Sequence, residues 1–95
     1  IVASVNGGPM DVENLKKGNM DYCVSQSPGL LGMLCAANLI ATLKGQTYQE
    51  KAYSPVIWVN LKTWAADLIP WDMDESWLPV VSEFIKTGQY KPELR

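Results

Sequence analysis

Histidine is missing altogether from this 95-residue chain, and with it the side chain most often used as a proton shuttle or metal ligand near neutral pH. Cysteine occurs twice, at Cys23 and Cys35, too sparsely for a disulfide framework or a Cys/His ligand set. We therefore expect no metal centre and no cofactor. Cationic side chains are also scarce. Eight Lys plus Arg against ten Asp plus Glu leave a net charge of −2, and no basic run marks a nucleic-acid or anionic-membrane partner. No apolar stretch reaches the roughly 18 residues of a membrane span, since the longest apolar helix is interrupted by Asn38 and Thr42. No nucleophile stands beside a base, so the chain reads as a non-enzyme. Gly7-Gly8 lacks the third glycine and downstream acid of a dinucleotide fingerprint. Asp72, Asp74 and Glu75 lack the glycine and distal glutamate of a calcium loop and read as a solvated acidic turn.

What is present is enough apolar material, 47 % of residues, for one small domain with a modest core. Its centre is the stretch 21–45. Tyr22, Cys23 and Val24 favour a strand, and Ser25-Gln26-Ser27 breaks it. Ser27 suits a helix N-cap and Pro28 the first helical position, where a missing N–H costs nothing. Leu30, Leu31, Met33, Leu34, Ala37, Leu39, Ile40 and Leu43 hold a helical period up to Gly45, a C-terminal cap. The helix is apolar on most of its circumference, which predicts burial on more than one side. Gln26 is left at the C-terminal lip of a strand, where open parallel α/β sheets bind ligands.

Before this unit, residues 1–5 form an apolar strand that ends at Asn6-Gly7-Gly8-Pro9, a dense turn signal. Asp11 is the expected N-cap of a short helix, with Val12 and Leu15 facing inward and Lys16, Lys17 and Gly18 closing it. After it, Pro55 introduces a strand at 56–59, and Asn60 caps a helix through Leu61, Trp64, Ala65 and Leu68 that stops at Pro70. A last helix runs from Ser76 or Pro79 to Gly88, and the residues from Gln89 onward read as an exposed tail. Strands separated by helices predict α/β architecture with a parallel sheet and right-handed crossovers. Three strands leave the central helix short of cover. Cys23 and Cys35 fall on a strand and on the helix above it, roughly 10 Å away. A disulfide requires Cα atoms within about 7 Å, so both read as buried thiols packed as small hydrophobes.

Taken together, IVASVNGGPMDVENLKKGNMDYCVSQSPGLLGMLCAANLIATLKGQ and YSPVIWVN resemble the C-terminal part of type I periplasmic solute-binding proteins. These are the sugar-binding proteins of ABC importers, to which the effector-binding cores of LacI-type repressors are related. The resemblance runs over residues 1–60 and rests on Gly7, Lys16 to Gly18, Val24, Gln26, Pro28, Gly32, Lys44-Gly45 and Pro55 in order. The tail from Leu61, rich in Trp and acid, is unmatched. The resemblance implies two α/β lobes, each a parallel sheet between helix layers, with solute held in the cleft between them. Residues 1–51 would be part of the C-terminal lobe and 52–55 a hinge crossing. Residues 56–95 would supply a strand and helices that pack on an N-terminal lobe, and the strand would join that lobe's sheet. A chain opening on Ile1 is read as cut from a larger protein with its targeting signal outside it. The implied partners are a small polar solute, the membrane subunits of an importer or a sensor, and the N-terminal lobe itself. The implied location is periplasmic or extracellular, with a lipoprotein anchor as one form.

The same resemblance places ligand contacts at Asn6 and Gln26. The family usually has Asp where this chain has Asn6, an exchange of an anionic acceptor for an amide that also donates. That exchange opens the site to a carbonyl, carboxylate or phosphate as well as to a sugar. Asn6 is equally suited to a left-handed turn, and Gln26 to a polar turn. Trp58, Trp64, Trp71 and Trp77 are read chiefly as packing against the N-terminal lobe, with an aromatic platform for a sugar ring as the sharper alternative. The competing assignment is the effector core of a LacI-type regulator, which a helix-turn-helix preceding Ile1 would establish and a signal peptide would exclude. A flavodoxin-like enzyme or receiver fragment would need a phosphate loop or an acidic phosphoacceptor cluster, and neither is found.

Overall fold

The computed structural model describes residues 1–95. In chain order the elements are β1 (Ala3–Asn6), α1 (Pro9–Lys17), β2 (Tyr22–Ser25), α2 (Pro28–Leu43), β3 (Ile57–Asn60), α3 (Trp64–Asp67) and α4 (Leu78–Thr87). Short 3-10 turns at Glu75–Trp77 and Pro92–Leu94 flank α4. Two compact units result. One comprises Ile1–Pro28 with Pro55–Trp71, the other Gly29–Ser54 with Asp72–Arg95.

The first unit is built on a three-stranded sheet of order β1-β2-β3. β1 and β2 are parallel, with Ala3 opposite Tyr22 and Asn6 opposite Ser25. β3 pairs with β2 in the antiparallel sense, Ile57 opposite Ser25 and Asn60 opposite Tyr22. The sheet is therefore mixed, which corrects the all-parallel expectation, and β3 is paired with β2 within it. The right-handed parallel crossover presumes that the chain re-enters the sheet at the end where the previous strand began. The segment between Leu43 and Ile57 extends to roughly 40 Å, long enough to re-enter at either end. Here it re-enters at the Ser25 end.

Alternation along β2 sets the core. Cys23 and Ser25 are fully buried, while Tyr22 and Val24 face outward, the two-residue period of a strand with one covered face. Cys23 and its register partner Val59 cluster with Leu15 and Met20, and Ile57, Trp64 and Leu68 pack around them. On the outer face Tyr22 and Trp58 meet edge to face, ring centroids 6.5 Å apart. Two helices depart from the expected bounds. α1 starts at Pro9 with Gly8 as its N-cap, so Asp11 lies inside the first turn and is not the cap. Asn60 ends β3 and heads a side-chain turn, its Oδ1 accepting from Lys62 N at 2.8 Å and Thr63 N at 3.1 Å. An Asx turn of this kind competes with helix and confines α3 to Trp64–Asp67.

In the second unit α2 buries Leu30, Leu34 and Ala41, a single stripe. Leu31, Leu39, Ile40 and Leu43 are exposed, so burial on several sides is not realised within this chain. Cys35 is exposed and Cys23 buried, both as free thiols, which corrects the reading of Cys35 as a core residue. Gly45, at φ 68°, closes α2, and Gln46 N donates to Ala41 O at 2.9 Å. The Asn38 amide then clasps the Gln49 backbone through bonds of 2.8 and 2.9 Å, and Gln49 Nε2 donates to Ile85 O at 3.1 Å. α4 buries Val80, Val81, Phe84 and Ile85 and is capped by Gly88, as its period predicts. Trp77 is buried as well, so no other lobe is required to cover it. The tail is largely exposed, as expected, and is also anchored. The Arg95 guanidinium lies 5.1 Å from the Trp77 ring centroid, Arg95 Nε donates to Ser76 Oγ at 3.0 Å, and Lys91 pairs with Glu83 at 3.4 Å. Half-burial, aided by Glu93, pushes the Tyr90 phenol above its ordinary pKa. No helix is long and apolar enough to cross a membrane.

Candidate functional site

Asn6 and Gln26 lie side by side in the first unit. Each ends its strand run in the same direction, because β1 and β2 are parallel and in register. The Gln26 amide donates to the Asn6 carbonyl at 2.9 Å, extending the ladder one step past the sheet. Asn6 is exposed and Gln26 half-buried. Neither side-chain amide bonds to another protein group, so each keeps two donors and an acceptor for a ligand. Their backbones are joined, with Asn6 the register partner of Ser25 and Gln26 one residue further on.

The turn that presents Asn6 is held by a residue whose role differs from its sequence reading. Asp11 Oδ2 accepts from Gly7 N at 3.0 Å and Gly8 N at 3.1 Å, and Oδ1 accepts from Ser4 Oγ at 2.8 Å. One carboxylate thus satisfies two amides left open at the start of α1 and fastens the turn to β1. Asn6 is held at φ 99°, a left-handed backbone that asparagine tolerates better than most residues. Gly7 follows at φ 75°, and a Cβ there would stand 3.4 Å from the Ser25 backbone. The positive φ is what disfavours a side chain at Gly7, since 3.4 Å is an ordinary contact.

Gln26 is positioned by its two neighbours. Ser25 Oγ accepts from Ile69 N at 2.8 Å and donates to Ile69 O at 3.4 Å. Ser27 Oγ donates to Trp71 O at 3.3 Å. These two buried hydroxyls pin the segment 69–71 against the end of β2 and leave Gln26, between them, directed away from the pins. Trp71 also lies over Gly8, its ring atoms 3.6 to 3.8 Å from where a glycine Cβ would be.

Two depressions lie in the second unit and include neither Asn6 nor Gln26. One, of about 760 Å³, is lined by residues including Ala37, Ile40, Ala41 and Lys86. The other, of about 410 Å³, lies along Leu31, Cys35 and Leu39. No cluster of three His, Cys, Asp or Glu is placed to hold a metal ion. The sequence nominates Asn6 and Gln26 as candidates but does not point to Asp11, Ser25, Ser27 and Trp71 as the groups that shape the turn and the end of β2. The Asp11 role was readable from its place three residues after Gly8, the acidic half of a capping box. The Ser25 and Ser27 bonds span 44 residues of sequence, and no local pattern announces them. Compared with protein-family models, curated proteins and solved structures, the chain matches none.

Proposed function

We propose that the chain is the substrate-binding component of an ABC-type importer, capturing a small polar solute, a sugar or sugar-like molecule, between two lobes. The observation that carries this reading is the pairing of Asn6 and Gln26 on one lip with both side-chain amides available. A non-glycine residue at φ 99° supports it, because backbone strain of order 1–3 kcal/mol persists where surrounding structure enforces it, and such residues cluster at ligand sites.

In this reading the lip is one face of a cleft, and an N-terminal lobe supplies the other. Solute engages the Asn6 and Gln26 amides first. It then bridges to the facing lobe, and its contacts with both select the closed arrangement over the open one. No bond is made or broken. The closed state is what the importer's membrane subunits, or a sensor, recognise, and the setting is periplasmic or extracellular.

Calorimetric titration of the intact protein with a panel of sugars tests this, using Gln26→Ala and Asn6→Gly. Glycine is chosen at position 6 because it accepts φ 99° while removing the amide. Each change should weaken binding about tenfold or more, the loss of one to two hydrogen bonds to a neutral ligand. Binding that is indifferent to both changes contradicts the proposal.

A further inference from the structure

We propose that the chain forms a symmetric homodimer through the exposed face of α2, two copies of the helix packing antiparallel about a two-fold axis. The inference does not depend on the solute reading, since neither Asn6 nor Gln26 belongs to α2. Leu31, Cys35, Leu39 and Leu43 follow one another at intervals of one helical turn and form a row along α2. Gly32, Ala36 and Ile40 form the row beside it. Both rows are exposed throughout, and the 16 residues of the helix include no charged side chain. Leu39 is 60 % and Leu43 78 % exposed, whereas a Cβ at Gly32 would meet nothing within 4 Å. The face is therefore raised toward its C-terminal end and low toward its N-terminal end. A depression of about 410 Å³ runs beside it along Leu31, Cys35 and Leu39.

That taper selects a second copy as the occupant. A two-fold axis brings the same patch of each copy together. Antiparallel pairing then seats Leu43 of one copy on Gly32 of the other and Leu39 on Ala36, and the reverse, so that ridge fills trough. Parallel pairing would set large residues on large and splay the helices. Antiparallel helices also offset each other's dipoles, which α2 does not do for itself, having no acidic residue in its first turn and no basic one in its last. A face without charge offers nothing to a partner that binds through ion pairs or to anionic lipid, and it meets a copy of itself without repulsion. From the exposure of its side chains the face presents on the order of 500 Å² per copy, so mating two removes about 1,000 Å², the least that a specific interface requires. Such a dimer is weak, with Kd on the order of 10 µM or above.

Sedimentation equilibrium of the intact protein from about 1 µM to about 1 mM tests this. A monomer–dimer equilibrium is expected, with thiol labelling of Cys35 immediate in the dilute monomer and slower as concentration rises. Leu39→Lys should raise Kd about tenfold or more by setting a charge against the apolar face of the other copy. Its urea midpoint should stay near that of the parent, because the side chain is exposed in the monomer. Ala36→Leu adds apolar surface but fills the trough, so it should also weaken the dimer, whereas unspecific association through an apolar patch would strengthen. A bismaleimide should join Cys35 of two copies, which this register sets roughly 10 Å apart. A monomer at every concentration overturns the proposal, whether Cys35 is open or is covered by another part of the same protein. A dimer that ignores Leu39→Lys, or that tightens with Ala36→Leu, overturns the pairing through α2.

Discussion

Removing one hydroxyl, that of Ser25, probes how the end of β2 is built. Ser25 is fully buried, and its Oγ both accepts from Ile69 N at 2.8 Å and donates to Ile69 O at 3.4 Å. The shorter bond dominates, because the longer one lies near the limit of hydrogen-bond geometry. Ile69 is itself 1 % exposed, so water cannot readily replace the lost partner. Ser25→Ala therefore leaves a buried N–H unsatisfied, at a cost of about 1–3 kcal/mol rather than the smaller net worth of an exposed bond. The void left by one oxygen is too small to hold a compensating water. Urea unfolding should show the midpoint falling at unchanged slope, and amide exchange at Ile69 should accelerate by about tenfold or more. A loss under about 0.5 kcal/mol with Ile69 still protected would refute the reasoning.

Asp11→Ala removes the shared acceptor of Gly7 N, Gly8 N and Ser4 Oγ and should cost about 2 kcal/mol or more in urea unfolding, with Asp11→Asn milder because one oxygen remains. Thiol labelling of the native protein should modify exposed Cys35 at once and buried Cys23 only at the rate of opening; simultaneous labelling would contradict the burial. Bonds from the Ser76 hydroxyl and amide, with Arg95 adding to them, hold the Asp74 carboxyl below its ordinary pKa of 3.8. Because the folded value is the depressed one, its contribution is present above pH 3.8 and fades as pH falls through the folded value. Ser76→Ala should therefore flatten the acid limb of the stability profile in that window, while leaving the profile at neutral pH parallel to that of the parent.

Much of the fold is legible locally. Gly45 and Gly88 close α2 and α4, and Tyr22-Cys23-Val24 gives β2 its alternation. The departures have two origins, choices among nearby capping groups and pairing with a strand distant in sequence. Asp11 looked like a cap because Gly8 has no side chain to announce one. Asn60 looked like the start of a helix, but pairing with Tyr22 places it at the end of a strand. The direction of β3 depends on where a long irregular connection returns to the sheet, which periodicity does not encode. Asn6 and Gln26 were legible as candidates through resemblance, whereas Ser25, Ser27 and Trp71 depend on contacts across 44 residues.

The side-chain amide signals of Asn6 and Gln26 offer the most direct test of the central claim, that this lip grips a small polar solute. They are to be followed by nitrogen-resolved NMR while a neutral sugar is titrated into the intact protein. Both amide pairs should shift together and saturate with the occupancy measured by calorimetry. Saturating shifts confined to the α2 and α4 depressions, with Asn6 and Gln26 unmoved, would contradict it.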